Sequence, residues 1–268
     1  MFYESFDGIW APIIATFFWS LGIGVAAYVL VFKTKLFNHL IDSPLVPPFL
    51  ALPAIMFAFL MGFMSSDAWQ NFAHARAALI NEASAVSRLI AIPLQSAEHQ
   101  KASNSHIQLY LQTVLNEEWG VHNNGSGNEK TKLALENIEL IVWTGSKACS
   151  KGGASKEPCL DAVTTTTYIK ALDDLRNARE QRLSLGYLSS VNTKWFLAII
   201  LALLSTVTVA AVHRHNHRTA ITSLILYCSS IWITFSIVTM YSNPYKWAER
   251  LEPVPLVAIL KNLNAGQK

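Results

Sequence analysis

The sequence predicts an all-α membrane protein: four transmembrane helices with a helical-bundle insert between the second and third spans. Three observations predict it. Apolar residues make up 51% of the 268 and charged residues only 15%, against roughly 25% charged in soluble domains. The apolar residues fall in blocks, and the mean hydropathy is +0.28. Four of those blocks lack Asp, Glu, Lys and Arg over about the 20 residues that a helix needs to cross a bilayer core. Disordered, collagen-like and disulfide-dense classes do not fit this composition. A net charge of +3 leaves no electrostatic footprint for nucleic acid, which is not expected as a partner.

The first span is expected over Gly8–Phe32, between Asp7 and Lys33. Its acidic N-flank and its length set it apart from a cleavable signal peptide. The second is expected over Ser43–Ser66, with Pro44, Pro47 and Pro48 suited to an approach loop rather than a helix interior. The third covers Trp195–Val212. The fourth covers Thr219–Tyr245 and stops near Asn243-Pro244. This divides the chain into residues 1–66 (tail and two spans), 67–194 (insert), 195–245 (two spans) and 246–268 (C-terminal tail).

The insert carries 13 acidic and 13 basic residues and reads as helical throughout. No proline stands between Pro53 and Pro93, so the second span is expected to run on into the insert as one helix of roughly 40 residues, about 60 Å long. A helix follows over Ser96–Trp119, with Ile107, Tyr110, Leu111 and Val114 at helical spacing. Two more are expected over Glu129–Lys147 and Leu160–Leu188, separated by a Gly/Ser/Lys loop.

Sidedness follows from charge. The short loops hold Lys33 and Lys35, and Arg214 and Arg218, whereas the N-terminal tail holds only Glu4 and Asp7. Positive residues in short loops mark the cytoplasm. The insert and both termini are therefore expected on the periplasmic side of a bacterial inner membrane. Arg176, Arg179, Arg182 and Lys194 favour the reverse, but the contrast across the first span outweighs them. Cys149 and Cys159 flank an insert loop at a spacing that a disulfide closes easily. The alternative is two free thiols.

The segment Gly62-Phe63-Met64-Ser65-Ser66-Asp67-Ala68-Trp69, followed by Ala73, Ala77 and Glu82-Ala83, resembles the signature of the bestrophin-like domain family. Tyr110, Val114 and Glu118-Trp119 resemble its second insert motif. Arg179 with Arg182-Leu183 resembles the basic stretch before its third span, and Asn243-Pro244-Tyr245 its proline-aromatic end. The resemblance covers about residues 50 to 247. It implies four spans and a helical insert, as in the bestrophins, which are pentameric anion channels. Where this family has a glycine after the proline-aromatic pair, Lys246-Trp247 stand here.

Catalytic chemistry finds no foothold. No Gly-rich phosphate loop, HExxH, CxxC or Gly-x-Ser-x-Gly motif occurs, so neither an enzyme nor a cofactor is expected. His213, His215 and His217 are read as a membrane-surface cap rather than a metal site. A conduit needs a constriction and wall-lining groups instead. Met56, Phe59 and Phe63 share one helix face and could stack as apolar rings around an axis, the alternative being lipid-facing packing. Thr222, Ser223, Ser229, Ser230, Thr234 and Ser236 either line a path or bond between helices. Glu82 lies among alanines, and Arg179 or Arg182 from the returning helix is expected to pair with it as a structural ion pair. Two functional readings result. One is an oligomeric ion conduit, an anion conduit being what the resemblance to bestrophins implies. The other is a non-catalytic accessory or scaffold subunit of a larger membrane complex, supported by Trp10, Trp69, Trp195 and Trp247 near membrane boundaries, where aromatics anchor. Its partners are the lipid bilayer and either copies of itself or other membrane subunits.

Overall fold

The computed structural model describes residues 2–34, 51–94, 97–120, 126–150, 161–188, 192–214, 216–245 and 250–266. Among these residues all regular structure is helical. Four helices are long and apolar enough to cross a membrane: Trp10–Phe32, Leu52–Ala91, Thr193–Val212 and His217–Ser242. Helices suit that medium because each satisfies its own backbone hydrogen bonds where no water is present. The chain divides into two compact units, Met1–Phe72 with Ser190–Glu249, and Ala73–Ser189 with Arg250–Lys268.

The first unit contains α1 (Phe2–Phe32), the first part of α2 (Leu52–Ala91), α6 (Asn192–Val212) and α7 (His217–Ser242). Its core joins Ile23 of α1, Phe57, Met61 and Met64 of α2, Ala198 and Ala202 of α6, and Ile231 and Phe235 of α7. The two core alanines of α6 are fully buried, and small residues of this kind let membrane helices approach closely. Polar contacts tie α1 to α7: Thr16 and Ser236 share a hydrogen bond of 2.7 Å, and Trp232 Nε1 donates to the Ile13 carbonyl at 3.0 Å. Asp67 and Lys194 form an ion pair.

Local chemistry sets the helix ends. Asn216 caps α7 by accepting from the Thr219 N–H at 3.4 Å. The fourth span was expected to reach Tyr245, but α7 ends at Ser242. Asn243 is extended there and its Oδ1 accepts from the Tyr245 N–H at 2.9 Å, and Pro244 has no N–H to continue a helix. The second span was expected from Ser43. Helix is described from Leu52, and residues 43–50 lie outside the described residues.

The second unit contains the rest of α2, then α3 (Ala97–Thr113), a π-helical turn (Val114–Glu118), α4 (Glu129–Ser150), α5 (Ala162–Leu188) and α8 (Val254–Gly266). The π turn closes with Trp119 N–H on the Val114 carbonyl at 2.8 Å. Gly120 follows at φ +78°, a left-handed conformation that costs glycine little. Val86 and Leu89 of α2, Ile107, Tyr110 and Leu111 of α3, Ala134 and Ile138 of α4, and Tyr168 and Leu175 of α5 are all fully buried together.

The stretch read as a C-terminal tail joins this core. Leu256 of α8 is fully buried in it, with Ile259, Leu260 and Leu263 packed alongside. Gln108 Nε2 donates to Asn264 Oδ1 at 2.8 Å. The spacing 256, 259, 260 and 263 is helical, and Pro255 falls in the first turn, where proline is tolerated. Leu256→Ala should therefore cost about 2–5 kcal/mol. Thermal unfolding of the detergent-purified protein reads this; an unchanged melting temperature would mean that α8 does not anchor the core.

Candidate functional site

The second unit encloses a charged lattice. Glu82 lies on α2, on a stripe with Leu79, Ala83 and Val86, and is fully buried. Arg182 of α5 is fully buried as well. Its Nε donates to Glu82 Oε2 at 2.8 Å, and its Nη2 reaches both Glu82 Oε1 at 3.2 Å and Glu118 Oε2 at 2.8 Å. Tyr110 of α3 donates its hydroxyl to Glu82 Oε1 at 2.6 Å. One guanidinium therefore bridges a carboxylate on α2 and another from the π turn. The Trp119 ring lies 5.4 Å from the same guanidinium, within cation–π reach.

Arg179 takes a different carboxylate from the one expected. One turn before Arg182 on α5, it donates from Nη2 to Glu118 Oε1 at 2.5 Å and from Nε to Glu118 Oε2 at 3.3 Å. The Asn128 N–H adds a third donor to Glu118 at 2.8 Å. Gly127 makes room for this arrangement, since a Cβ there would stand 2.9 Å from Arg179 Nη2. Two carboxylates and two guanidiniums balance in charge.

Burial opposes ionisation of Glu118 most strongly. The hydrogen bonds from Arg179, Asn128 and Arg182 outweigh it and hold the carboxyl below its usual range. For Arg182, burial favours loss of the proton, but attraction to Glu82 wins and the group stays charged. Burial first, and then the negative Glu82, push the Tyr110 hydroxyl well above its usual range, so it remains a donor. The shifts keep Glu118 and Arg182 charged and Tyr110 protonated.

In the first unit, Met56, Phe59 and Phe63 occupy the exposed face of α2, at 58%, 64% and 68% exposure. Phe57, Met61, Met64 and Ala68 face the core instead. The hydroxyls of α7 mostly serve their own helix. Thr222, Ser229, Ser230 and Thr234 each donate to the carbonyl four residues earlier, while Ser236 pairs with Thr16. His217 Nε2 lies 3.0 Å from the Tyr28 hydroxyl, and its ring packs edge-on to Phe32. His215, Cys159 and the side chain of Cys149 lie outside the described residues.

Sequence reasoning placed Glu82 and Arg182 but did not assign Glu118, Tyr110 or Asn128 to the lattice. A signal for Glu118 was present. It follows Ile107, Tyr110, Leu111 and Val114 on one helical stripe, and a carboxylate on a buried stripe needs a cationic partner. Nothing local marked Asn128.

The Bestrophin-like domain family matches residues 16–256. No curated protein matches the chain. Solved structures do. A variant of a bacterial Bestrophin homolog from Klebsiella pneumoniae aligns with a TM-score of 0.67 at 15% identity, covering 95% of this chain and 98% of that one. A second variant of that homolog aligns at 0.65 and 16%, covering 96% and 97%. A structure described as a membrane protein variant aligns at 0.67 and 14%, covering 95% and 98%. At these identities the likeness is one of fold.

The lattice makes a stability prediction. Glu82→Ala leaves a buried guanidinium short of an anion and should cost roughly 3–5 kcal/mol. Adding Arg182→Met should recover much of that loss, because an apolar side chain of similar reach needs no counter-charge. Denaturant unfolding of the purified full chain measures both. Equal stability of Glu82→Ala and wild type would mean that the pair carries no desolvation penalty.

Proposed function

The chain belongs to the Bestrophin-like family, and we propose that it is one subunit of a homo-oligomeric anion conduit in which α2 faces the central axis. The exposed stripe of Met56, Phe59 and Phe63 carries this reading. Copies arranged around an axis would stack these side chains into apolar rings, which gate by excluding water. No carboxylate stands on α2 between Leu52 and Ser66, so nothing in the constriction repels an anion. Ala73, Ala77 and Ile80 of α2, in the second unit, are exposed too, Ile80 at 52%. An apolar face outside the lipid is best covered by a neighbouring copy. On this reading the protein is a passive pathway rather than an enzyme.

The orientation proposed is the one that charge favours, in a bacterial inner membrane with the second unit and both termini periplasmic. Lys33, Arg214 and Arg218 on the short-loop side support it. A membrane-impermeant thiol reagent on intact cells should then reach Cys149 and Cys159 only after reduction. Labelling that requires a breached inner membrane would reverse the orientation.

Phe63→Ser tests the conduit. A polar group in an apolar ring lowers the barrier to wetting, so liposomes holding the variant should leak halide faster than those holding wild type. A scaffold subunit would instead lose packing or partner binding and pass no ions in either form. Equal background flux from well-folded wild type and variant would retire the conduit in favour of the scaffold.

A further inference from the structure

An apolar groove of about 420 Å³ runs between α1 and α7 of the first unit. That volume falls in the range of small-ligand sites, about 300–1,000 Å³. Phe17, Val25 and Tyr28 of α1 face Ile221, Ile225 and Trp232 of α7 across it. Its floor is a close approach of Gly24 to Cys228, where a Cβ on the glycine would stand 2.7 Å from the sulfur. No charged side chain lines it. Both walls belong to helices long and apolar enough to span a bilayer, which sets the groove at the depth of the acyl chains.

Each wall leads to a cation. On α1, Leu21, Val25 and Val29 follow at steps of four, and Lys33 continues the row just past its end. On α7, Arg218, Ile221 and Ile225 follow at steps of three and four. Lys33 and Arg218 are both exposed. They stand at the same end of the helix pair, because His217 touches both Tyr28 and Phe32. His213 and Arg214 belong to the same turn, and residues 28–34 and 207–222 contain neither Asp nor Glu. Among the described residues the rim at this end of the slot is basic, the arrangement of an amphiphile site with an anionic head.

We propose that this groove binds an anionic phospholipid, one acyl chain lying against Val25 and Ile225 and the phosphate-bearing headgroup held by Lys33 and Arg218. Basic residues at the membrane surface attract anionic lipid in this way. A second copy of the chain fits less well. A second copy would fill the apolar slot but leave Lys33 and Arg218 without an anionic partner. The site is independent of the conduit reading, since it lies on α1 and α7 rather than on α2.

Native mass spectrometry of the full chain in mild detergent, titrated with phosphatidylglycerol or phosphatidylcholine of identical acyl chains, tests the proposal. Phosphatidylglycerol should be retained at lower concentration. Lys33→Gln and Arg218→Gln should each weaken its retention roughly fivefold and leave phosphatidylcholine unchanged. Millimolar inorganic phosphate should not displace the lipid, because the acyl chain supplies part of the hold. Ser229→Trp, which fills the groove, should lower retention of both lipids. Phosphatidylglycerol brominated in its chain should also quench Trp232, read as the difference between wild type and Trp232→Phe. Four results would overturn the site: equal retention of the two lipids, no effect of the cation variants, displacement by free phosphate, or no quenching difference at Trp232. Loss of oligomer in Ser229→Trp with unchanged lipid retention would assign the groove to a second copy instead.

Discussion

A guanidinium with no exposed surface is the constraint around which the second unit is organised. Arg182 carries a full charge at zero exposure, and a lone ion there would face a desolvation penalty of several kcal/mol. It is accommodated because Glu82 and Glu118 reach it from two other segments, with distances of 2.8 Å to each. Those segments are α2 and the π turn after α3, so α5 is held against both in one register. A shift of a single residue on any of the three would bury an unpaired charge. Such a lattice does little for net stability compared with an apolar core of equal volume. It specifies the arrangement instead, since hydrophobic contacts alone tolerate sliding.

Around the lattice the packing is ordinary and apolar. Tyr110 spans both environments: its ring is in the core with Ile107 and Leu111, and its hydroxyl completes the coordination of Glu82. The outer pairs, Glu139 with Arg176 and Arg88 with Asp174, are partly exposed and contribute at most about 1 kcal/mol each. Burial therefore separates the ion pairs that specify the fold from those that decorate it.

The first unit is held by different means. It has no buried charge lattice among its described residues, and lipid removes most of the hydrophobic drive between helices. Fully buried alanines, the Thr16–Ser236 bond and the Trp232 indole take over. The α7 hydroxyls that donate to their own carbonyls leave few polar groups to steer an ion. A conduit built on such a unit would discriminate by the wetting of apolar rings and by long-range charge rather than by direct ligation.

The sequence by itself determined the four apolar spans, the helical insert and the 40-residue α2. Length, apolar runs and helical spacing are local properties, and lipid forces local backbone satisfaction. It also marked Glu82 and the arginines of α5, because charge among alanines on a helix stands out. Only the tertiary structure decided that Arg182 rather than Arg179 meets Glu82, that Glu118 serves both arginines, and that α8 carries Leu256 into the insert's core. Each of those depends on which segments lie side by side, and the partners are separated by up to 100 residues. No periodicity within one helix encodes its neighbour. The groove between α1 and α7 belongs to the same class, for its walls lie some 200 residues apart, and only packing brings them together over a floor that Gly24 leaves open.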